Sequence, residues 1–550
     1  MRLATRPSRP GTRFAARAAL VGITCAALVG GVAQTAQAAI PTGPTTVGLT
    51  GQRPSATSLP FALSDQVQAS VDVVTGNLLL STTALSLPGV NSTIPIGASY
   101  NSLGWQTGAT TTSAANNWAY SLAGAGSLSL VGSNIVYTGA DGVTWQFVPV
   151  SGSATAYTSP AGFKQDLTKT GTTGYTLTDR TSRQVVTFDA DGKATAVADR
   201  NGNSTSIGYA SGQPTSVVST AGPTAARTAA LAYSGTTLTV TQTANASTSR
   251  SVKYVKDSSS NLTSFVDAQG KTTTFGYSGR DLTKITSNTG AVTNINYDGT
   301  THKVARVDQL NTTAGSPGTS TTRLSYASAT QTLVAGPNTD STLAITAVPR
   351  TTYTINSTQK VVNKAVDAAG RERTATYTGN ADVLSSTTGV AGATGAGTTT
   401  GAYGANGGNS RTSTTGPNGA KSQTTYGSTA ATAYLPASTT DDAGNRSLTT
   451  FNGAGNALAS SDASGATATL TYNTDGTVAT ASAPGNGSNK TVYGYTAATK
   501  QLASITPVTG TSLQTKAFTY DGYGRLASQT DGRGNTTAKV RSSRGPKTGL

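Results

Sequence analysis

The run Thr236-Thr237-Leu238-Thr239-Val240-Thr241 alternates polar and apolar residues with the period of two that turns one face of a strand inward. Strands of this kind begin at Phe61. Val71-Asp72-Val73-Val74 runs into the turn signal Thr75-Gly76-Asn77 and out through Leu78-Leu79-Leu80-Ser81, which predicts a first hairpin. The pattern as a whole predicts an all-β chain.

A second regularity is superimposed on the first. Asp199-Gly202-Tyr209 has an Asp, a Gly three residues on, and an aromatic seven after the Gly. The spacing returns at Asp267-Gly270-Tyr277, Asp367-Gly370-Tyr377, Asp441-Gly444-Phe451 and Asp462-Gly465-Tyr472. Degenerate copies keep Gly290-Tyr297 and Gly419-Tyr426, with Ser287 and Gly416 in place of the Asp. Asp accepts backbone N–H bonds at the start of a turn, and Gly supplies the positive φ at its exit. From Phe451 to Tyr472 the period is 21 residues. That length marks a repeat architecture in which each unit buries its face on its neighbours. It is too short for a strand, a helix and their turns, so each unit is predicted to be a small hairpin or a strand pair. The last unit runs from Tyr520-Asp521 through Gly524-Arg525-Leu526 to Asp531 and Gly534.

These residues resemble the YD repeat of the RHS family, with Phe188-Asp189, Tyr297-Asp298 and Tyr520-Asp521 as the naming dipeptide. Val71 to Gly104 resembles the block that precedes the repeats in bacterial members. The resemblance implies a spiral β-sheet closing as a hollow shell, which in full-length bacterial relatives holds a C-terminal toxin. Tyrosines at the repeat period would then stack in register, each packing on its neighbour. The chain divides accordingly: signal peptide 1–38, flexible leader 39–60, N-terminal β-domain 61–162, repeats with insertions 163–388, a Gly/Thr/Ala-rich loop or linker 389–419, repeats 420–537, and a basic disordered tail 538–550. All three tryptophans, Trp105, Trp118 and Trp145, fall in the N-terminal domain, which suggests an aromatic core of its own.

Composition adds the compartment. Arg2, Arg6, Arg9, Arg13 and Arg17 precede an apolar run from Ala18 to Ala33, and Ala36-Gln37-Ala38 ends it. This is a secretory signal, with cleavage between Ala38 and Ala39. The apolar run is shorter than the ~20 residues of a membrane span, and no later stretch approaches that length. The single cysteine, Cys25, lies in the signal, so the exported chain has no thiol or disulfide. Without the signal's five arginines, 34 basic residues face 23 acidic ones, a balance of +11. Four of these cations (Lys539, Arg541, Arg544 and Lys547) crowd the last 13 positions. No basic cluster interleaves with aromatics, so nucleic acid is not an expected partner. Apolar content of 36% leaves little to fill a solid core and favours an extended or hollow structure. The expected location is extracellular, with possible attachment to the cell wall.

Catalytic chemistry finds little to work with. The one histidine, His302, has no ligand or triad spacing around it and reads as a solvated loop residue. Paired carboxylates of the glycosidase kind remain conceivable, but the aspartates recur in turns and glutamate is nearly absent, Glu372 being one. Asp-x-x-Gly-Asn turns offer oxygen ligands to calcium, but their spacing fits neither an EF-hand nor a nonapeptide repeat, so no metal or cofactor is assigned. The expected function is a secreted, non-enzymatic shell segment related to contact-dependent toxin delivery. The alternatives are a surface module binding envelope carbohydrate through exposed tyrosines, and a β-solenoid polysaccharide hydrolase or lyase. The aromatic due seven residues after Gly534 is replaced by Arg541, which suggests a coding sequence interrupted inside a repeat and an open sheet edge able to pair with another chain.

Overall fold

The computed structural model describes residues 40–44, 46–104, 117–220, 226–245, 248–311, 317–390, 393–404, 410–485, 489–507 and 514–539. The proposed signal, its cleavage site, Trp105 and the basic tail beyond Lys539 lie outside the described residues.

The fold is all-β and shell-like. Thirty-three strands from Gln165 to Ala538 form one antiparallel sheet in which every strand pairs with its neighbours in sequence. A five-stranded sheet spans Ser58 to Leu122 and a four-stranded one Ser127 to Thr158. The long meander needs only local turns, so each 21-residue unit becomes two strands and two turns. The sheet bends because the register slips by one residue at the repeat aromatics. Bulges fall at Tyr209, Tyr277, Tyr297, Tyr377, Tyr426, Phe451, Tyr472, Tyr495 and Tyr520. A bulge locally increases twist and bends its strand, and repeating it at one edge curls the whole sheet.

The curl brings the sheet back beside itself. Strands from Gln165 to Ala335 form a first coil, and those from Thr351 to Ala538 a second whose turns meet the turns of the first. Contacts such as Arg200 to Gly455 join residues 255 apart.

The five-stranded sheet lies against the inner face of the first coil, and the two share one apolar core. Trp118 packs on Phe275, Tyr100 on Tyr277, Tyr120 on Tyr254 and Tyr137 on Phe188. The described N-terminal aromatics therefore share their core with the repeats, contrary to the expectation of a separate one: alternating strands on both sides each present one apolar face, and the two faces bury each other. The low apolar content is also unevenly distributed, since the buried apolar side chains concentrate in the N-terminal sheets and the first coil. Beyond Thr351, by contrast, only Ile355, Val361, Leu435 and Tyr523 among described apolar side chains are fully buried.

Two further expectations change. The leader is anchored rather than flexible: Gly43 and Pro41 exchange main-chain bonds with Leu130, and Thr50, Gly51 and Arg53 are buried. Within 389–419, strands Gly397–Tyr403 and Arg411–Thr415 are continuous members of the sheet. The β-branched run Thr398-Thr399-Thr400 forms a strand despite its surrounding glycines, because neighbouring strands complete its ladder on both sides.

Candidate functional site: the coil seam and the tyrosine-lined inner wall

The Asp-x-x-Gly turn is a closed hydrogen-bonded unit. Asp462 Oδ1 accepts the N–H groups of Ser464 at 2.9 Å and Ala466 at 3.0 Å. Gly465 N–H returns to the Asp462 carbonyl at 3.1 Å, and Gly465 sits at φ 83°. Asp199, Asp267, Asp367, Asp521 and Asp531 repeat these side-chain bonds, and Asp441 repeats the one to its fifth residue. Glycines 202, 270, 370, 444, 524 and 534 all have positive φ. Bonds to Asn445, Ser464 and Asn535 hold the carboxyls of Asp441, Asp462 and Asp531 below their ordinary range. These oxygens are committed to N–H and O–H donors, and no cluster of three metal-ligating side chains occurs among the described residues.

A second series of the same turn includes Asn452 and Asn473, which the sequence reading missed, beside Asp189 and Asp521, which it singled out. It follows the repeat aromatic, at Asp189, Asn452, Asn473 and Asp521, so the turns of one repeat close opposite ends of the sheet. The YD dipeptide itself carries the signal: its Asp starts this second turn.

The tyrosines act through their hydroxyls. Tyr209, Tyr277, Tyr297, Tyr377, Tyr426 and Tyr472 each donate to the carbonyl of the residue 15 positions back, at 2.7–3.0 Å. Those acceptors stand at or near the start of the preceding strand. Tyr495 and Tyr520 do the same over 17 and 18 residues. Burial raises the phenol of Tyr209 to about 12 and pushes Tyr472, Tyr495 and Tyr520 upward. The ring-on-ring stacking expected between successive repeats does not occur among the described residues; each ring is instead pinned to its own unit's backbone, half-buried. Phe451 occupies the same place without the hydroxyl.

Next to the tyrosines, cross-strand hydroxyl pairs join neighbouring strands; the threonine of each pair that precedes a tyrosine is exposed, and its partner is half-buried, or buried at Ser438. Thr376–Ser385, Thr425–Ser438, Thr471–Thr480 and Thr519–Ser528 bond at 2.6–2.7 Å. Inward, the residue two before each aromatic records what covers the wall. Ile207, Phe275 and Ile295 are buried under the N-terminal sheet, whereas Ala375, Gly401, Thr424 and Thr449 are small or polar. Large side chains return at Leu470, Tyr493 and Phe518. There a cavity of about 490 Å³ opens between the hairpin tip Gly89–Ser92 and the second coil, lined by Leu470, Tyr493, Tyr495, Leu502 and Tyr520.

The seam between coils is joined in both directions, with one pattern prevailing. Asn456 Nδ2 of the second coil donates to Asn201 Oδ1 at 2.7 Å and Lys164 pairs with the Asp382 carboxylate at 2.9 Å, but most bonds run the other way, to main chain. Side chains of the first coil and the N-terminal segment donate to carbonyl oxygens of the second coil's turns. Arg200 bonds Gly455 at 2.6 Å, Asn203 bonds Asp475 at 2.8 Å, Arg227 bonds Gly522 at 3.1 Å and Asn91 bonds Gly476 at 3.0 Å. Thus the Asp199 and Asp521 turns are brought into the seam, whereas the turns at Asp441, Asp462 and Asp531 stay exposed. The donors themselves were not predicted, because a cation or amide beside a turn is common on any surface.

His302 is not a free loop residue. It is half-buried on a turn at φ 54°, and its Nδ1 lies 2.8 Å from Asp281 Oδ2. Glu372 pairs with Lys364 at 2.6 Å. Among the described residues no helix is long and apolar enough to cross a membrane.

No protein-family model matches the chain, and no curated protein does. Among solved structures, a TcdB2-TccC3 crystal structure aligns with 83% of the chain at 11% identity and a TM-score of 0.36. The Photorhabdus luminescens Tc holotoxin pore aligns with 83% at 10% identity and a TM-score of 0.35. The chain spans about a quarter of the length of these toxin chains, 25% and 24%. A porin-like protein from Bacteroides uniformis aligns with 44% of the chain at 11% identity and a TM-score of 0.16. These scores are low; the fold described above stands on the chain's own strand order and register.

Proposed function

We propose that the chain is a secreted, non-enzymatic β-shell segment, a wall that screens a cargo polypeptide of the toxin-delivery kind. The observation that supports this reading is the coiled 33-stranded sheet whose second coil turns a polar, sparsely packed face inward. Such a face has no core to complete and suits a wall with water or a loosely held chain beside it. A protection assay tests the reading. An unfolded reporter peptide fused after Leu550 should resist an added protease, and should become cleavable when the seam is opened by Arg200→Ala with Arg227→Ala. Equal cleavage in both proteins would remove the screening role.

The tyrosine-lined cavity beside Gly89–Ser92 favours a second reading, the binding of envelope carbohydrate. Its volume, about 490 Å³, suits a small ligand, and aromatic faces stack on sugar rings. Retention of the purified chain on cell-wall polysaccharide, lost on Tyr493→Ala, tests it; unchanged retention in that variant would place binding elsewhere.

A further inference from the structure

At the point where the Asp521–Arg525 turn meets the first coil, three guanidinium groups gather around one carboxylate. Arg250 lies over one side of the Tyr523 ring system at 5.1 Å from its centroid, and Arg525 approaches the same ring at 5.2 Å. Arg227 reaches the adjoining residue, donating from Nη1 to the Gly522 carbonyl at 3.1 Å. Asp521 is the one acid in this group, and its Oδ2 is taken by Arg525 Nε at 2.7 Å. Arg250 Nε is committed to Gln242 Oε1 at 2.8 Å, and Gln242 is itself buried.

Two polar groups at this junction are left over. Tyr523 is 4% exposed and its hydroxyl is buried with no hydrogen-bond partner; Arg227 Nε is likewise buried without an acceptor. Buried donors are almost always satisfied, and each one left unmade is costly. A balance of three cations to one anion in a half-buried place is costly as well. Burial, and for Arg250 the neighbouring Arg525, press the Arg227 and Arg250 guanidiniums toward the neutral form. Both deficits have one remedy. Guanidinium forks match the edges of a tetrahedral oxyanion, which accepts several N–H and O–H donors at once.

We propose that this junction is a binding site for a small oxyanion of the phosphate or sulfate type, held by Arg227, Arg250 and Arg525 with the Tyr523 hydroxyl as a further donor. The bound ion would tie the second coil to the first, since Arg227 and Arg250 belong to the first coil and Tyr523 and Arg525 to the second. The site shares Arg227 with the seam, but phosphate binding is read by titration and not by proteolysis, so its failure and that of the screening role are told apart.

The test uses the full exported chain, melted in phosphate and in chloride at constant ionic strength, with calorimetric titration of phosphate alongside. Phosphate should raise the melting temperature by about 2–3 °C at a hundredfold excess over its dissociation constant, while chloride does not. Arg250→Met should abolish the rise. Arg227→Gln, which keeps an amide donor facing the Gly522 carbonyl, should weaken phosphate binding at least tenfold in the titration. Equal shifts in chloride and phosphate, or an unchanged titration with Arg227→Gln, would overturn the proposal.

Discussion

Arg53 and Lys360 lie 307 residues apart and hold each other's segments in place. Arg53 Nη1 donates to the Lys360 carbonyl at 2.6 Å, and Lys360 Nζ donates to the Val47 carbonyl at 2.8 Å. The Arg53 guanidinium also pairs with Asp72 at 2.5 Å, both side chains about 5–6% exposed. The stretch before the first strand is thereby the fastener at which the second coil begins.

Removing Arg53 tests that role. Arg53→Met would leave the Asp72 carboxylate buried without its cation, a change that costs about 3–5 kcal/mol. The urea midpoint should fall accordingly, and hydrogen exchange should accelerate in the strand Val361–Val366, far away in sequence. Unaltered exchange there would mean that the fastener does not hold the second coil.

Tyrosine hydroxyls should be worth one hydrogen bond each. Tyr472→Phe removes the bond to the Ala457 carbonyl and should cost about 0.5–1.5 kcal/mol. The reverse change is more telling. Phe451→Tyr should place a new hydroxyl within reach of the Pro436 carbonyl, 15 residues back as in six other repeats, and raise the melting temperature. A lower melting temperature for that variant would show that the spacing alone does not set the bond.

Glycines at the same turn position should differ by what surrounds them. Gly465 has φ 83° and nothing within 4 Å of an added Cβ, so Gly465→Ala should cost only the backbone strain, about 1 kcal/mol. Gly476 has φ 76°, and a Cβ there would lie 2.0 Å from Asn201 Nδ2 across the seam. Gly476→Ala should therefore cost more and also speed exchange at the Asp199–Asn203 turn; equal effects at the two positions would argue against close seam contact.

Acid should weaken the turns together. The carboxyls of Asp441, Asp462 and Asp531 titrate below their ordinary value of 3.8 because hydrogen bonds favour the charged form. Their contribution is full above the unfolded value and is lost as pH falls through the lower folded values. Melting temperature should hold from neutrality to about pH 5 and drop below about pH 4. Replacing all three with Asn, as nature does at Asn452 and Asn473, should flatten that acid limb. An acid limb unchanged in the triple variant would assign it to other groups.

How far the chain could be read in advance follows from the range of its interactions. The Asp462 turn was legible because its donors lie two to four residues away and its glycine has a conformational reason. Strand period likewise announced an all-β fold. The shared core was not legible, since nothing in an alternating strand says which other face will cover it; Trp118 looked local and packs on Phe275. Nor was the strand at Gly397–Tyr403, whose order comes from its neighbours rather than from its own glycine-rich text. The seam was hidden most completely, because Gly455, Asp475 and Gly522 take part only through their backbone.

That last property makes heredity lopsided across the joint. A carbonyl is contributed by whichever amino acid stands at the position, so at Gly455, Asp475 and Gly522 the upper coil holds without using a side chain, whereas Lys360, Asp382 and Asn456 hold by theirs. The lower coil depends on its letters more heavily, since Arg200, Asn203 and Arg227 all grip by side chain. Blocks of the upper coil that keep these anchors and the turn glycines should thus be interchangeable with foreign repeats of the same turn geometry, and sequence drift should accumulate faster between the anchors. Recombination would find a ready-made splice point, a structure whose base is closely specified and whose upper storey is specified only at a few anchors.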